Sequence, residues 1–578
     1  MRMLDGPNLY FTRPAVKLTI DARVWLELPD ERAAALAARA GIEDQALPGG
    51  PGTDRRLRLC ARLAGRVVRA LGDAAGMRLP VRARPGPQPG QVVVAYPWRR
   101  RREAEALAGE AGRMLLELGR DRRQLRSLVR DASARIGGID PGAEPTVVEP
   151  AIPVVAVTGT NGKTTSVRLI AHLLRAAGRS VAYTSTDGVF RDDELIEEGD
   201  YSGFGGAARA LSQPGIDAAV LEVARGGILL RGIGVTRNDV ALVTNVGEDH
   251  LGQYGIQTLD QLAEVKAAIT RITTKTGWDV LNADDPRVLG MRQRARGRPF
   301  LFSLDPDHPA IRSVLAERGR AVTVLDGDIV LLERRHRVLH VVRLEEVPVT
   351  LAGISTANVR NALGATAAGI ALGIPLEPLA NGLRTFVLDP EHNPGRANLF
   401  EIEGRIVVVD YAHNEDGMHG LVEICRGLRS ERGQTWLAFG AAGDRTNAIL
   451  HRLGYTAARG VDHVAIAELR RYLRGRDAKD LLQRLLLGAD DGGAQHTPVF
   501  PDEVHAMEWM LSQSAPDDVV AVAALGQRSE VLALLRDRGA TSVGPERVRE
   551  LVGRARAQPG QEPAQDVGAA ASAPLASR

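Results

Sequence analysis

The chain has 578 residues, 44% apolar and 25% charged, and its 74 Lys and Arg against 71 Asp and Glu leave a formal net charge of +3. Those proportions exclude a fibrous or largely disordered protein, and the charge balance excludes a chain that binds nucleic acid over its whole surface. No run of about eighteen or more apolar residues occurs and MRMLDGPNLY lacks the apolar centre of a secretory signal, so a cytoplasmic protein with no membrane partner is expected.

At this length the chain exceeds one core, and about three or four units are expected. Cys60 and Cys425 are too few for a disulfide framework and lack metal-ligand spacing, which agrees with a reducing compartment. Residues 1–148 read as a small α+β domain. The turn-rich RPGPQPGQ leads into the strand-like VVVAY, and a long helical pattern follows from EAEALAG to SARI. Arg99 to Arg102 read as the exposed start of that helix, and GGIDPGAEPTVVEP as a linker.

From 149 to 388 the pattern alternates between apolar strand, loop and helix. IPVVAVTG, SVAYTST, DAAVLEVA and DVALVTNV each end in Gly, Ser, Thr, Asn or a small residue, as parallel strands of an α/β sheet do. Between about 300 and 352, shorter strands with hairpin-like spacing suggest a β-rich insertion in this central domain. A third domain, 389–553, repeats the alternation in RIVVVDYAHN, TWLAFGAAGD, HVAIAEL and DVVAVAALG, which predicts a second, Rossmann-like doubly wound sheet. Residues 554–578, rich in Ala, Pro, Gln and Gly, read as a disordered tail.

The chemistry begins at VTGTNGKTTS. A strand, then TGTNGKTT, then a helix is the setting of a phosphate-binding loop. Gly159 and Gly162 let the backbone N–H groups of Thr160 and Asn161 approach an anion, Lys163 adds a positive charge toward terminal phosphates, and the hydroxyl of Thr164 or Thr165 can reach magnesium. Val157 stands where the strict motif has glycine, so the loop is a variant form. ATP and Mg2+ are the expected cofactors, and the loop by itself leaves kinase, hydrolase, switch and ligase open.

TGTNGKTT, the acid ending the strand in LEVARGG, TNVGEDHLG and the lysine of LAEVKAAI together resemble the Mur ligase superfamily of ATP-dependent amide-forming enzymes. TSTDG, LEVARGGIL, LNADDP and YLRGR are similar to the Mur-ligase-like half of the cyanophycin synthetase family, and LDGPNLY to the opening of that family's N-terminal domain. The resemblance implies that Thr164, Glu222, His250 and Lys266 hold metal, with Lys266 either carbamylated or a plain helix lysine. It implies that Asn358 and Asn361 stand by the adenine, although Ala357 replaces a usual His, that Arg396 reaches the phosphates and that Asp410 holds the ribose. Substrate contacts are implied for Thr184, Ser185, Arg225, Asp444 and Arg445. His413 and Asn414 face nucleotide or substrate, or cap the next helix.

Arg470, Arg471, Arg474 and Arg476 form either a solvated face or a surface for carboxylates. About 150 residues precede the phosphate loop, too few for both an N-terminal domain and the ATP-grasp domain of cyanophycin synthetases. One ligation is therefore expected: ATP, a peptide or polymer carboxylate and an amino acid or other amine give an amide, ADP and phosphate. The first domain is expected to help bind the acceptor. Rival readings are a cell-wall precursor or folate-polyglutamate type ligase of the same superfamily, and a nucleotide-binding scaffold without catalysis. No nucleic-acid partner is expected, and a homo-oligomer is compatible with everything above.

Overall fold

The computed structural model describes residues 1–42, 49–120, 125–249, 251–334 and 337–557. Most of the tail expected to be disordered lies outside them. Among the described residues three sheets are formed, of four, eleven and seven strands. In the first domain the antiparallel order is Arg2–Leu4, Ala15–Asp21, Gln91–Pro97, Arg82–Pro85. RPGPQPGQ is the turn of its last hairpin. The helices Asp54–Ala74, Arg101–Arg120 and Leu125–Ile136 pack on this sheet through Leu63, Val67, Leu107 and Leu128, so the single long helix expected from the periodicity is two. Arg100, Arg101 and Arg102 pair with Glu144, Glu105 and Asp140 on an exposed surface, as read from the sequence.

The strands Val154–Thr158, Ala218–Glu222, Asn238–Val243 and Val181–Thr184 form the parallel middle of the eleven-stranded sheet. Each is buried on both faces, which is why these runs are apolar without alternation. The expected β-rich insertion at 300–352 is corrected by the register. Arg298–Ser303 and Arg320–Leu325 continue the same sheet in parallel, with the helix Pro309–Ala316 as crossover, and only Asp328–Glu333 and Arg337–Arg343 form an antiparallel edge. FLFS is apolar at nearly every position because it lies between two helical layers, a pattern that hairpin spacing does not reveal.

In the last sheet Val499–Phe500, His463–Ala467, Thr435–Phe439, Val519–Ala523 and Arg405–Asp410 run parallel, with Asn398–Ile402 and Thr541–Ser542 antiparallel at one edge. Because the strands run parallel, their C-terminal ends, and the loops that follow, gather on one side of each sheet.

Side chains far apart in sequence fix how the domains meet. Asn161 of the phosphate loop and Asn414 of the last domain exchange two amide hydrogen bonds, 3.0 and 2.9 Å, while Asn414 Oδ1 also caps the helix Glu415–Leu428 by accepting from Gly417 N at 2.9 Å. Asp187 accepts from Arg168, on the helix Lys163–Ala176, at 2.9 Å and from Arg528 of the last domain at 3.0 Å. The LDGPNLY loop is buried against the central domain: Asp5 pairs with Arg231 at 2.7 Å, Gly6 N donates to Arg231 O at 3.1 Å and Ile233 N to Pro7 O at 2.7 Å. Its signature residues serve docking.

A Cβ on Gly6 would fall 1.9 Å from Ile233 O. Gly6→Ala is expected to lower stability by about 1–3 kcal/mol and to speed proteolysis in the 137–150 linker; an unchanged melting curve and digest would contradict this docking. Asn414→Ala removes a cap and the link between domains together. Its expected loss is about 1 kcal/mol from the cap, with a larger radius of gyration in solution scattering, and unaltered scattering would count against the link.

Candidate functional site

A cleft of about 1190 Å³ lies between the central and last domains, at the C-terminal ends of their parallel strands. Val154–Thr158 runs straight into the phosphate loop, and Gly162 precedes the helix Lys163–Ala176 with φ 84°. Both loop glycines are required by close approach. A Cβ at Gly162 would meet Asn361 Oδ1 at 2.1 Å, and one at Gly159 would meet Thr244 Oγ1 at 1.8 Å. Asn245 Oδ1 accepts from Thr160 N and Asn161 N at 3.1 and 2.8 Å, so the TNVGED segment sets the loop's shape. Lys163 Nζ donates to Thr160 O at 2.9 Å, which keeps the ammonium at the loop's mouth where the helix N-terminus is also positive.

Glu222 ends its strand almost fully buried, 2% exposed. Oε2 accepts from Thr164 Oγ1 at 2.8 Å, and Oε1 finds no donor among the described residues. Burial raises its pKa, opposed by the charge of Lys163 and the bond from Thr164. An orphaned carboxylate oxygen beside a hydroxyl is the donor set a hard divalent cation takes. Among the described residues no group of three or more His, Cys, Asp or Glu could hold a metal.

Lys266 is also buried and lines the cleft from the helix Leu259–Lys266. Burial, and then the charge of Lys163, hold its pKa well below the ordinary lysine value. Lys266 is therefore not a surface lysine of its helix. His250 lies outside the described residues.

From the last domain, Arg396 and Asp410 line the same cleft. The Arg396 guanidinium lies 4.4 Å from the ring centroid of Tyr411, and its buried Nε has no acceptor among the described residues. Asp410 accepts from Ala397 N at 2.8 Å; burial raises its pKa, opposed by Arg396. Asn358 and Asn361 open the helix Thr356–Ala371, joined by a 3.1 Å bond, and both face the cleft. His413 stands 3.7 Å from Asp249 and lines the cleft, whereas Asn414 acts as cap and link.

The implied substrate residues separate into two groups. Arg225 and Arg445 line the cleft, but Arg445 is 8% exposed and paired with Asp249 at 2.8 Å. Asp444 bonds Gln253 and Arg474, two cleft residues, from just behind them. Thr184 and Ser185 do not line the cleft: Thr184 Oγ1 accepts from Glu222 N at 3.2 Å, and Ser185 Oγ from Asp187 N at 3.1 Å, so both support neighbours from within the fold. In the arginine run Arg474 faces the cleft, Arg476 braces the Arg445 carbonyl at 2.8 Å, and exposed Arg470 pairs with partly buried Glu468.

Sequence reasoning missed Asp249, Gln253 and Asp187. Asp249 sits inside the EDH triplet and was within reach of that motif. Gln253, which accepts from Arg225 at 2.9 Å and donates to Asp444, carried no signal.

Residues 157–369 match the model of the Mur ligase middle domain, and 395–526 that of the Mur ligase glutamate ligase domain. Cyanophycin synthetase of Synechocystis sp. is 37% identical over 376 residues, 64% of this chain and 42% of that protein, so the chain spans less than half the length of this relative. The UDP-N-acetylmuramoyl-L-alanyl-D-glutamate–2,6-diaminopimelate ligase of Alkalilimnicola ehrlichii is 29% identical over 385 residues, 65% of this chain and 72% of that one. Among solved structures, MurF from Acinetobacter baumannii aligns with a TM-score of 0.50 at 18% identity, over 72% of this chain and 89% of its own, which shows a shared fold. With the phosphate loop, the buried strand-end acid and the two-domain cleft in place, the chain belongs to the Mur ligase superfamily.

Proposed function

We propose that the chain is an ATP-dependent ligase that converts a carboxylate into an acyl phosphate and passes it to an amine, releasing ADP and phosphate. The observation that carries this reading is a single cleft holding Lys163, Glu222, Lys266, Arg396 and Asp410, with cations drawn from both walls. A carboxylate approaching a triphosphate is repelled. Lys163 and Arg396 offset that repulsion and stabilise the phosphoryl group in transfer. Thr164 and Glu222 would hold magnesium, which supplies further neutralisation of the phosphate oxygens. Asn358 and Asn361 would contact the base and Asp410 the ribose.

An ammonium on Lys266 would add to Lys163 in a buried space. Suppressing that charge is the condition under which an amine takes up carbon dioxide, and a carbamate there would be attracted by Lys163 instead. Arg225 and Arg474 offer cations to the acid or to the carboxylate of an incoming amino acid. Relatives named cyanophycin synthetase and UDP-N-acetylmuramoyl-peptide ligase support a peptide or polymer carboxylate as the acid, and an amino acid as the amine. Buried reduced thiols fit a cytoplasmic setting; among the described residues no helix is long and apolar enough to cross a membrane.

Phosphate release from ATP and magnesium should rise when an acid and an amine are supplied together; no stimulation by any pairing drawn from amino acids and short acidic peptides would favour the scaffold reading. Glu222→Gln keeps the contact with Thr164 but removes the anion. It should retain nucleotide binding without divalent ions while amide formation falls about 10²–10³-fold, and an unaltered magnesium dependence would contradict the assignment. Asp444→Ala should spare ATP affinity and reduce amide formation, whereas equal loss of both would argue against separate nucleotide and amine regions.

A further inference from the structure

Arg225, Gln253, Tyr254 and Lys266 form one wall of the cleft, joined by the 2.9 Å bond from Arg225 to Gln253 and by the Arg225 guanidinium 5.7 Å from the Tyr254 ring centroid. None of the described residues of the first domain lines the cleft. That domain nevertheless holds each segment of this wall from behind. Gly6 and Pro7 bond the backbone at Arg231 and Ile233, just after the helix Arg225–Leu230. Pro87, in the turn between Arg82–Pro85 and Gln91–Pro97, packs so closely on Gly255 that a Cβ there would lie 2.4 Å from its Cγ. Arg84 pairs with Glu264 at 3.0 Å, on the helix that ends in Lys266, and stands 5.2 Å from the Tyr10 ring centroid. Arg271 Nη1 donates to Leu9 O at 3.1 Å.

The segment so held needs support. Gly252, Tyr254 and Gly255 have φ of 89°, 52° and 82°, and Tyr254 is a bulky side chain in the left-handed region with its surface 47% exposed. Such backbone persists where the surroundings over-determine it. Half-exposed Arg84 and Glu264 contribute little to global stability, so the pair's consequence is where it sets the helix.

We infer that the N-terminal domain is a brace for this wall, with Arg84 and Pro87 as positioning residues that hold the 252–266 segment and through it Gln253 and Lys266. The inference rests on the ligase reading for its kinetic consequence only. The expected acceptor-binding role stands apart from it: LDGPNLY, the one motif that suggested that role, is buried in docking.

The test uses the full chain carrying Arg84→Ala with Pro87→Gly, read by hydrogen exchange and by steady-state kinetics. Amides of 252–266 should exchange faster while those of 158–170 keep their protection. The turnover number should fall about ten- to a hundredfold with the KM for ATP unchanged, and Arg84→Lys alone should retain wild-type values. Unchanged exchange across 252–266 overturns the brace, and a rise in acceptor KM with that exchange unchanged would restore the acceptor-binding reading in its place. If the wild type forms no amide, the ligase reading fails while the exchange result still decides the brace. Should the double variant not fold, Arg84→Glu should raise exchange in the same segment and adding Glu264→Arg should reverse it; no reversal overturns the proposal.

Discussion

A carboxylate sealed at the end of a central strand, with one oxygen that no described protein donor meets, is the constraint on which the site depends. Burial raises the pKa of Glu222, Thr164 satisfies only one of its oxygens and Lys163 spends a donor on the loop's own carbonyl. In the proposed reaction a nucleotide bringing a divalent cation would complete the ligand set, and burial would make each of those charges count for more than it would in water.

Around that constraint the fold meets a second demand of the proposed reaction, which is to keep water from an acyl phosphate. The phosphate loop follows a strand of one sheet and Gly443, Asp444 and Arg445 follow a strand of the other, and the proposed reaction requires both at once. The reciprocal amides of Asn161 and Asn414, the Arg445–Asp249 pair and the junction of Arg168, Asp187 and Arg528 all cross between the central and last domains. Arg168 is 5% exposed, so breaking its pair would leave a buried charge uncompensated, and Asp187 thereby ties the first helix after the loop to the last domain. These contacts hold a closed arrangement in which the cleft's two walls face each other.

Much of the site could be read in sequence because its chemistry sits at strand ends and helix starts, where short motifs mark it. The phosphate-loop motif marks Lys163, the resemblance to the Mur ligase superfamily implies Glu222, Lys266, Asn361, Arg396 and Asp410, and all of them border the cleft. What local pattern cannot show is which polar residue faces inward and which supports from behind. Thr184 and Ser185 have the composition of a binding loop, yet they shape the turn beneath Glu222. Asp187, three residues beyond Thr184, acts across 341 positions of chain to Arg528, and Gln253 across 191 to Asp444, separations that no periodicity records. In the fold, the alternation of strands and helices is legible, but hairpin-like spacing misplaces FLFS because its neighbours in the sheet are set by a crossover helix, not by the turn beside it.

The central claim is that the terminal phosphoryl group of ATP is handed to an acid before nitrogen arrives. Labelling the acid substrate with oxygen-18 in its carboxylate and analysing the phosphate formed alongside the amide tests it directly. Transfer through an acyl phosphate places one labelled oxygen in each phosphate released. Amide formed with unlabelled phosphate would contradict the account.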